Sequence, residues 1–114
     1  MFAALAFALS LAASGAFPEP LFEAARSFTT ELAAFSFSVV TGDLNSDGTS
    51  DLVVLNTVTN DVTVLLGQGD GTFQEAASYP VGAFPNQVAL GFLDDNGTID
   101  IITANQGSIS VLLG

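Results

Sequence analysis

Gly42-Asp43-Leu44-Asn45-Ser46-Asp47-Gly48-Thr49-Ser50-Asp51-Leu52-Val53-Val54-Leu55-Asn56 decides how the rest of this chain is read. It joins an oxygen-rich loop to a short apolar run containing β-branched valines. Forty-nine residues later the pattern returns as Gly91-Phe92-Leu93-Asp94-Asp95-Asn96-Gly97-Thr98-Ile99-Asp100-Ile101-Ile102-Thr103-Ala104-Asn105. Val64-Leu65-Leu66-Gly67 returns as Val111-Leu112-Leu113-Gly114 at a spacing of 47, and Phe22 and Phe28 match Phe73 and Tyr79 at a spacing of 51. Small changes of spacing at turns are what loop-length variation produces. A unit of about 50 residues is the period of stacked β-arrays such as propellers.

Within a unit the runs are short and lie between Gly, Asn and Asp, which favours strands over helices. Strands are predicted at Ser38–Thr41, Leu52–Leu55, Asp61–Leu66 and, more weakly, Gly71–Tyr79. Ile101–Thr103 and Ser108–Leu113 repeat the second and third of these. Runs with little alternation are expected to be covered on both faces. Residues 19–34 carry a weak helical pattern, but the repeat alignment predicts strand for the latter part. Phe35, Phe37, Phe73 and Phe84 are the expected aromatic core.

The loop places side-chain oxygens at positions 1, 3, 5 and 9 through Asp43, Asn45, Asp47 and Asp51, and the Thr49 carbonyl can add another. Calcium takes six to eight oxygens, and alternate positions on a curved loop can face one centre. Gly48 permits the sharp turn and is expected at positive φ. A metal-free acidic turn is the alternative. The loop also resembles the start of an EF-hand, but position 12 is Val54 where an EF-hand needs a bidentate Glu, and a β-branched run follows. In the second loop Asp94, Asn96 and Asp100 keep positions 3, 5 and 9 while Phe92 replaces the first ligand. A weaker calcium site is expected there.

The stretch VVTGDLNSDGTSDLVVLN, followed by VTVLLGQGDGTF, resembles the FG-GAP-like, or VCBS-type, repeat family, which includes the calcium-bearing blades of integrin α-chain propellers. The likeness covers residues 21–114. It implies an all-β fold of two propeller-type blades, each a four-stranded antiparallel unit, with Ca2+ in the loop between the first two strands. The expected division is a signal peptide over 1–16, a first repeat over 17–67 and a second over 68–114. Two blades cannot close a ring of four to eight, and they leave strand edges open. An incomplete propeller is therefore expected, as a fragment of a longer repeat protein, an assembly of several copies or a truncated product.

Composition narrows the function. The 114 residues include twelve Asp and Glu against one Arg, for a formal net charge of −11. Nucleic acids and anionic membranes need cationic partners, so neither fits. Without cysteine or histidine, zinc sites of the thiolate or imidazole kind, cysteine nucleophiles and histidine general bases are ruled out. Disulfide staples are ruled out too, which leaves a bound metal as the candidate staple. The glycine-rich turn Gly67–Gly71 lacks the lysine and helix of a phosphate loop, and Asp94-Asp95 are sequence neighbours, which rarely face one cleft as an acid pair must.

Met1–Ala13 is apolar but shorter than the roughly 20 residues of a membrane span. Followed by Ser14-Gly15-Ala16, it reads as a signal peptide that lacks the usual leading cation. The expected protein is a non-catalytic, secreted or cell-surface calcium module for adhesion or for protein or glycan binding. It would stand beside neighbouring repeat units or further copies of the chain. The alternative is an accessory region of a larger secreted hydrolase or lyase.

Overall fold

The computed structural model describes residues 21–28 and 35–114. The expected signal peptide lies outside them. Seven strands form in chain order: β1 (Ser36–Gly42), β2 (Asp51–Asn56), β3 (Asp61–Gly67), β4 (Phe73–Pro80), β5 (Gln87–Gly91), β6 (Asp100–Asn105) and β7 (Ser108–Leu112). All pairings are antiparallel between chain neighbours, giving one sheet ordered β1-β2-β3-β4 and one ordered β5-β6-β7. These are two blades of an unclosed propeller, with no helix among the described residues. The second sheet has three strands there, where four were expected. The sheets divide between Pro80 and Gln87, so sequence period and sheet boundary are one strand out of phase.

The central strands match their local sequence. The runs Leu52–Leu55 and Val62–Leu66 suit a pleated, buried surface. Asn60 at φ 58° ends the first hairpin turn and Gly107 at φ 81° the second, the left-handed region that Gly and Asn tolerate best. Val53, Leu55, Val62 and Val64 of the first sheet meet Val88 and Ile101 of the second, with Val40, Leu44, Leu90 and Leu112 packed around them. Full burial of such a side chain contributes about 1.5–3 kcal/mol, so this shared core holds the blades face to face.

The linker between the sheets fastens the ends of both hairpins. Val81 N–H donates to Asn60 O, Phe84 N–H to Asn60 Oδ1, Gln106 N–H to Ala83 O, and Thr57 Oγ1 to Pro85 O, all at 2.9–3.0 Å. At the same end of each sheet a buried asparagine serves as a hub. Asn56 Nδ2 donates to Asp61 Oδ1 and Thr63 Oγ1, and Asn105 Nδ2 to Ser108 and Ser110.

Two sequence expectations are corrected. Phe35 and Phe84 are mostly exposed rather than core, because Phe35 precedes β1 and Phe84 sits in the linker at φ 51°. Residues 21–28 form neither helix nor strand; Phe28 instead meets Phe73 edge-on, with ring centroids 5.3 Å apart. The Phe37 side chain and residues 29–34 lie outside the described part.

Candidate metal centre

The loop Asp43–Ser50 connects β1 to β2 at the end of the sheet opposite the asparagine hub. Its geometry begins with Asp51, the first residue of β2 and fully buried. One carboxylate oxygen accepts the Leu44 N–H at 2.8 Å and the other the Gly67 N–H at 2.9 Å. The group thereby fastens the start of the loop and the end of β3 to β2. No side chain fits at Gly67, since a Cβ there would collide with the Ser50 carbonyl oxygen.

Asp43 folds the loop over itself by accepting the N–H groups of Asp47 at 3.1 Å and Gly48 at 2.9 Å. Asp47 accepts the Thr49 N–H at 2.9 Å and its hydroxyl at 2.8 Å. Gly48 takes φ 87°, as its place in the turn requires. Oxygens from Asp43, Asp47 and Asp51 all lie within 4.8 Å of one another. Atoms 2.3–2.6 Å from a common centre can be at most about 5 Å apart, so the three carboxylates are spaced to share one ion. Among the described residues this is the one such acidic trio.

Asn45 adds a fourth group. One end of its carboxamide lies 3.0 Å from Asp47 Oδ1 and 3.2 Å from Asp43 Oδ1. With nitrogen at that end the amide bridges two carboxylates. With oxygen there, three acceptors meet and need a cation or a donor such as water between them. Turning the amide over thus puts a fourth oxygen beside Asp43 and Asp47 in this oxygen cage.

The second loop keeps the scaffold and loses part of the cage. Asp100, also fully buried, accepts Leu93 N–H at 2.6 Å and Gly114 N–H at 2.7 Å, as Asp51 does in the first unit. Asn96 accepts the Thr98 N–H and hydroxyl as Asp47 accepts those of Thr49. Its nitrogen, however, donates to Gly114 O at 2.9 Å. Phe92 is exposed and offers no oxygen, and Asp94 accepts only a long 3.5 Å bond from Asn96 N–H.

Leu44, Gly67, Leu93 and Gly114 supply the amides that hold Asp51 and Asp100, although sequence reading did not place them in the site. The signal for Gly67 and Gly114 was the VLLG string that recurs after each acidic loop, whereas Leu44 and Leu93 share the second position of the two loops.

Hydrogen bonding sets the acid behaviour of these groups. The Thr49 N–H and then its hydroxyl lower the Asp47 carboxyl below its ordinary value. The N–H groups of Gly114 and then Leu93 lower Asp100 against the opposing effect of its burial. The Thr72 hydroxyl and N–H lower Asp70 in the turn after β3. A carboxyl lowered by folding binds fewer protons folded than unfolded, so stability rises with pH through that range. The contribution is complete above the ordinary carboxylate value and is lost as pH falls through the lowered values. With no histidine or cysteine to titrate, the chelator-treated protein should melt at a constant temperature from about pH 7 to 5 and progressively lower below about pH 4. Calorimetric scans across that range check the sign.

A family model described as an FG-GAP-like repeat matches residues 43–101, more than half of the chain. The match begins at the first carboxylate of the loop and ends inside β6. No curated protein and no solved structure matches the chain.

Proposed function

Because the chain belongs to the FG-GAP-like repeat family, we propose that it is a calcium-binding extracellular repeat module, secreted or at the cell surface, in which the ion is structural. The observation that carries this reading is the convergence of Asp43, Asp47 and Asp51 oxygens within 4.8 Å, with the Asn45 carboxamide against two of them. The ion joins the β1–β2 loop to the latch at β3, stiffening one end of the blade so that a protein or glycan partner meets a fixed surface. The role is adhesion or recognition without catalysis. The second loop, built on Asp94, Asn96 and Asp100, is the weaker site, because affinity follows ligand charge and number.

Calorimetric titration of the 114-residue chain with calcium tests the metal assignment. About one ion per chain should bind at the stronger site, and Asp47→Ala should remove that binding. An unchanged titration in the variant would sink the assignment.

A further inference from the structure

Asn96-Gly97-Thr98 is an asparagine followed two residues later by threonine, with no proline between them. That is the acceptor triplet for N-linked glycosylation. It occurs once in the 114 residues. Asn45, Asn56, Asn60, Asn86 and Asn105 are followed at that place by Asp47, Val58, Val62, Val88 and Gly107. The triplet stands at a spacing of 49 from Asp47-Gly48-Thr49. A carboxamide in place of a carboxylate is therefore the one change that makes the second loop an acceptor and leaves the first loop without one.

The fold presents this asparagine to solvent. Asn96 lies exposed in the loop between β5 and β6. Gly97 follows at φ 82°, with nothing within 4 Å of the place a Cβ would take. The Thr98 N–H and hydroxyl both donate to Asn96 Oδ1, at 3.0 and 2.7 Å, which fixes which edge of the amide carries nitrogen. Nδ2 donates to Gly114 O at 2.9 Å, and among the described residues nothing accepts its second N–H. A sugar bonded to Nδ2 replaces one N–H, leaves one for Gly114 O and disturbs neither bond from Thr98. The hub asparagines Asn56 and Asn105, 0% and 8% exposed, have no such room.

We propose that Asn96 is the attachment site of an N-linked glycan. The proposal rests on the secreted reading above, because the donor is an oligosaccharide carried on a polyprenyl pyrophosphate in the secretory compartment. Asn96 Nδ2 forms a bond to C1 of the first sugar as the C1–O bond to the pyrophosphate breaks. The pyrophosphate leaves with the electron pair, and the amide gives up one proton.

The same loop shows what the glycan is for. Phe92 and Leu93 are 67% and 53% exposed, next to each other and a few residues before Asn96. A bulky, hydrated group on this loop covers apolar surface that water would otherwise meet. The sugar takes Nδ2 whereas an ion would take Oδ1, so the two roles of Asn96 draw on different atoms.

Production of the 114-residue chain in a secretory eukaryotic cell tests this. The chain is made twice, once with its own N-terminus and once behind a supplied leader peptide. Behind the supplied leader, the secreted chain should carry a glycan. A glycan-releasing amidase should shift it back to the polypeptide mass and leave aspartate at position 96, as read by peptide mass spectrometry. Asn96→Gln and Thr98→Ala should each lose the glycan. Thr98→Ser, which keeps the hydroxyl that the triplet needs, should retain it. Attachment is made on the chain as it enters the compartment, so these losses do not depend on how well a variant folds afterwards. A led chain that emerges unmodified, or an Asn96→Gln variant that keeps an amidase-sensitive glycan, overturns the proposal. If the led chain is glycosylated while the chain with its own N-terminus stays inside the cell, the acceptor stands and the secreted reading fails. The mass shift is read without regard to calcium, which keeps it separate from the ion assignment.

Discussion

Calcium should raise the melting temperature of the wild-type chain by about 10 °C, and Asp47→Ala should abolish most of the rise. An ion that binds only the folded state at a hundredfold excess over its dissociation constant adds about 2.7 kcal/mol. A domain of this size shifts by about 4 °C per kcal/mol. Without a cation, Asp43, Asp47 and Asp51 hold carboxylates within 4.8 Å of one another, and their repulsion favours unfolding. Asp47 is the informative residue because it is exposed and its bonds stay within its own loop, to Thr49, Asp43 and the Asn45 carboxamide. Its loss removes a ligand while the sheet keeps every strand pairing. Scanning calorimetry in calcium and in chelator, for both proteins, reads the effect. A wild-type curve unmoved by millimolar calcium would refute the ion site.

Asp51→Ala should behave differently, with a fall of roughly 2–6 kcal/mol already in chelator and a larger one in calcium, where the ion's stabilisation is lost as well. Its buried carboxylate accepts the N–H groups of Leu44 and Gly67. Alanine strands both amides in a site closed to water, at about 1–3 kcal/mol for each orphaned group. The end of β3 and the entry to the loop both come loose, so calcium binding is lost with the stability. Denaturant unfolding in chelator separates the two variants: Asp47→Ala should lie close to wild type and Asp51→Ala far below it. Equal midpoints would mean that the amides find other partners and that Asp51 is a ligand only.

The parts of this fold set by local chemistry were legible in the sequence. Leu52–Leu55 and Val62–Leu66 are apolar runs rich in valine between turn residues, and both are strands. Gly48 takes the positive φ that its place in the loop demanded. The acidic trio converges at positions 1, 5 and 9 of one short loop.

What long-range contact decides was not legible. The five residues of β5, Gln87–Gly91, carry one β-branched residue between Gln and Gly and were not named as a strand; they become one by pairing with β6. Aromatic character said nothing about depth, and Phe84 lies outside the core because the linker it occupies is fastened to both hairpins by its backbone. The latch on Asp51 joins residues 16 apart. Only the recurrence of glycine after Val-Leu-Leu pointed to it, and the collision with Ser50 supplies the reason.

Asp51 and Asp100 hold their strands through backbone amides whether or not the neighbouring side chains can ligate an ion. Architecture consequently rests on this one carboxylate of each loop, while the other ligand positions can change without it. Phe92 stands where Asp43 stands in the other unit, and β5, β6 and β7 still form in register around the same double latch. A lineage built from such units can retune its need for a cation by single substitutions at one place at a time, without passing through an unfolded ancestor.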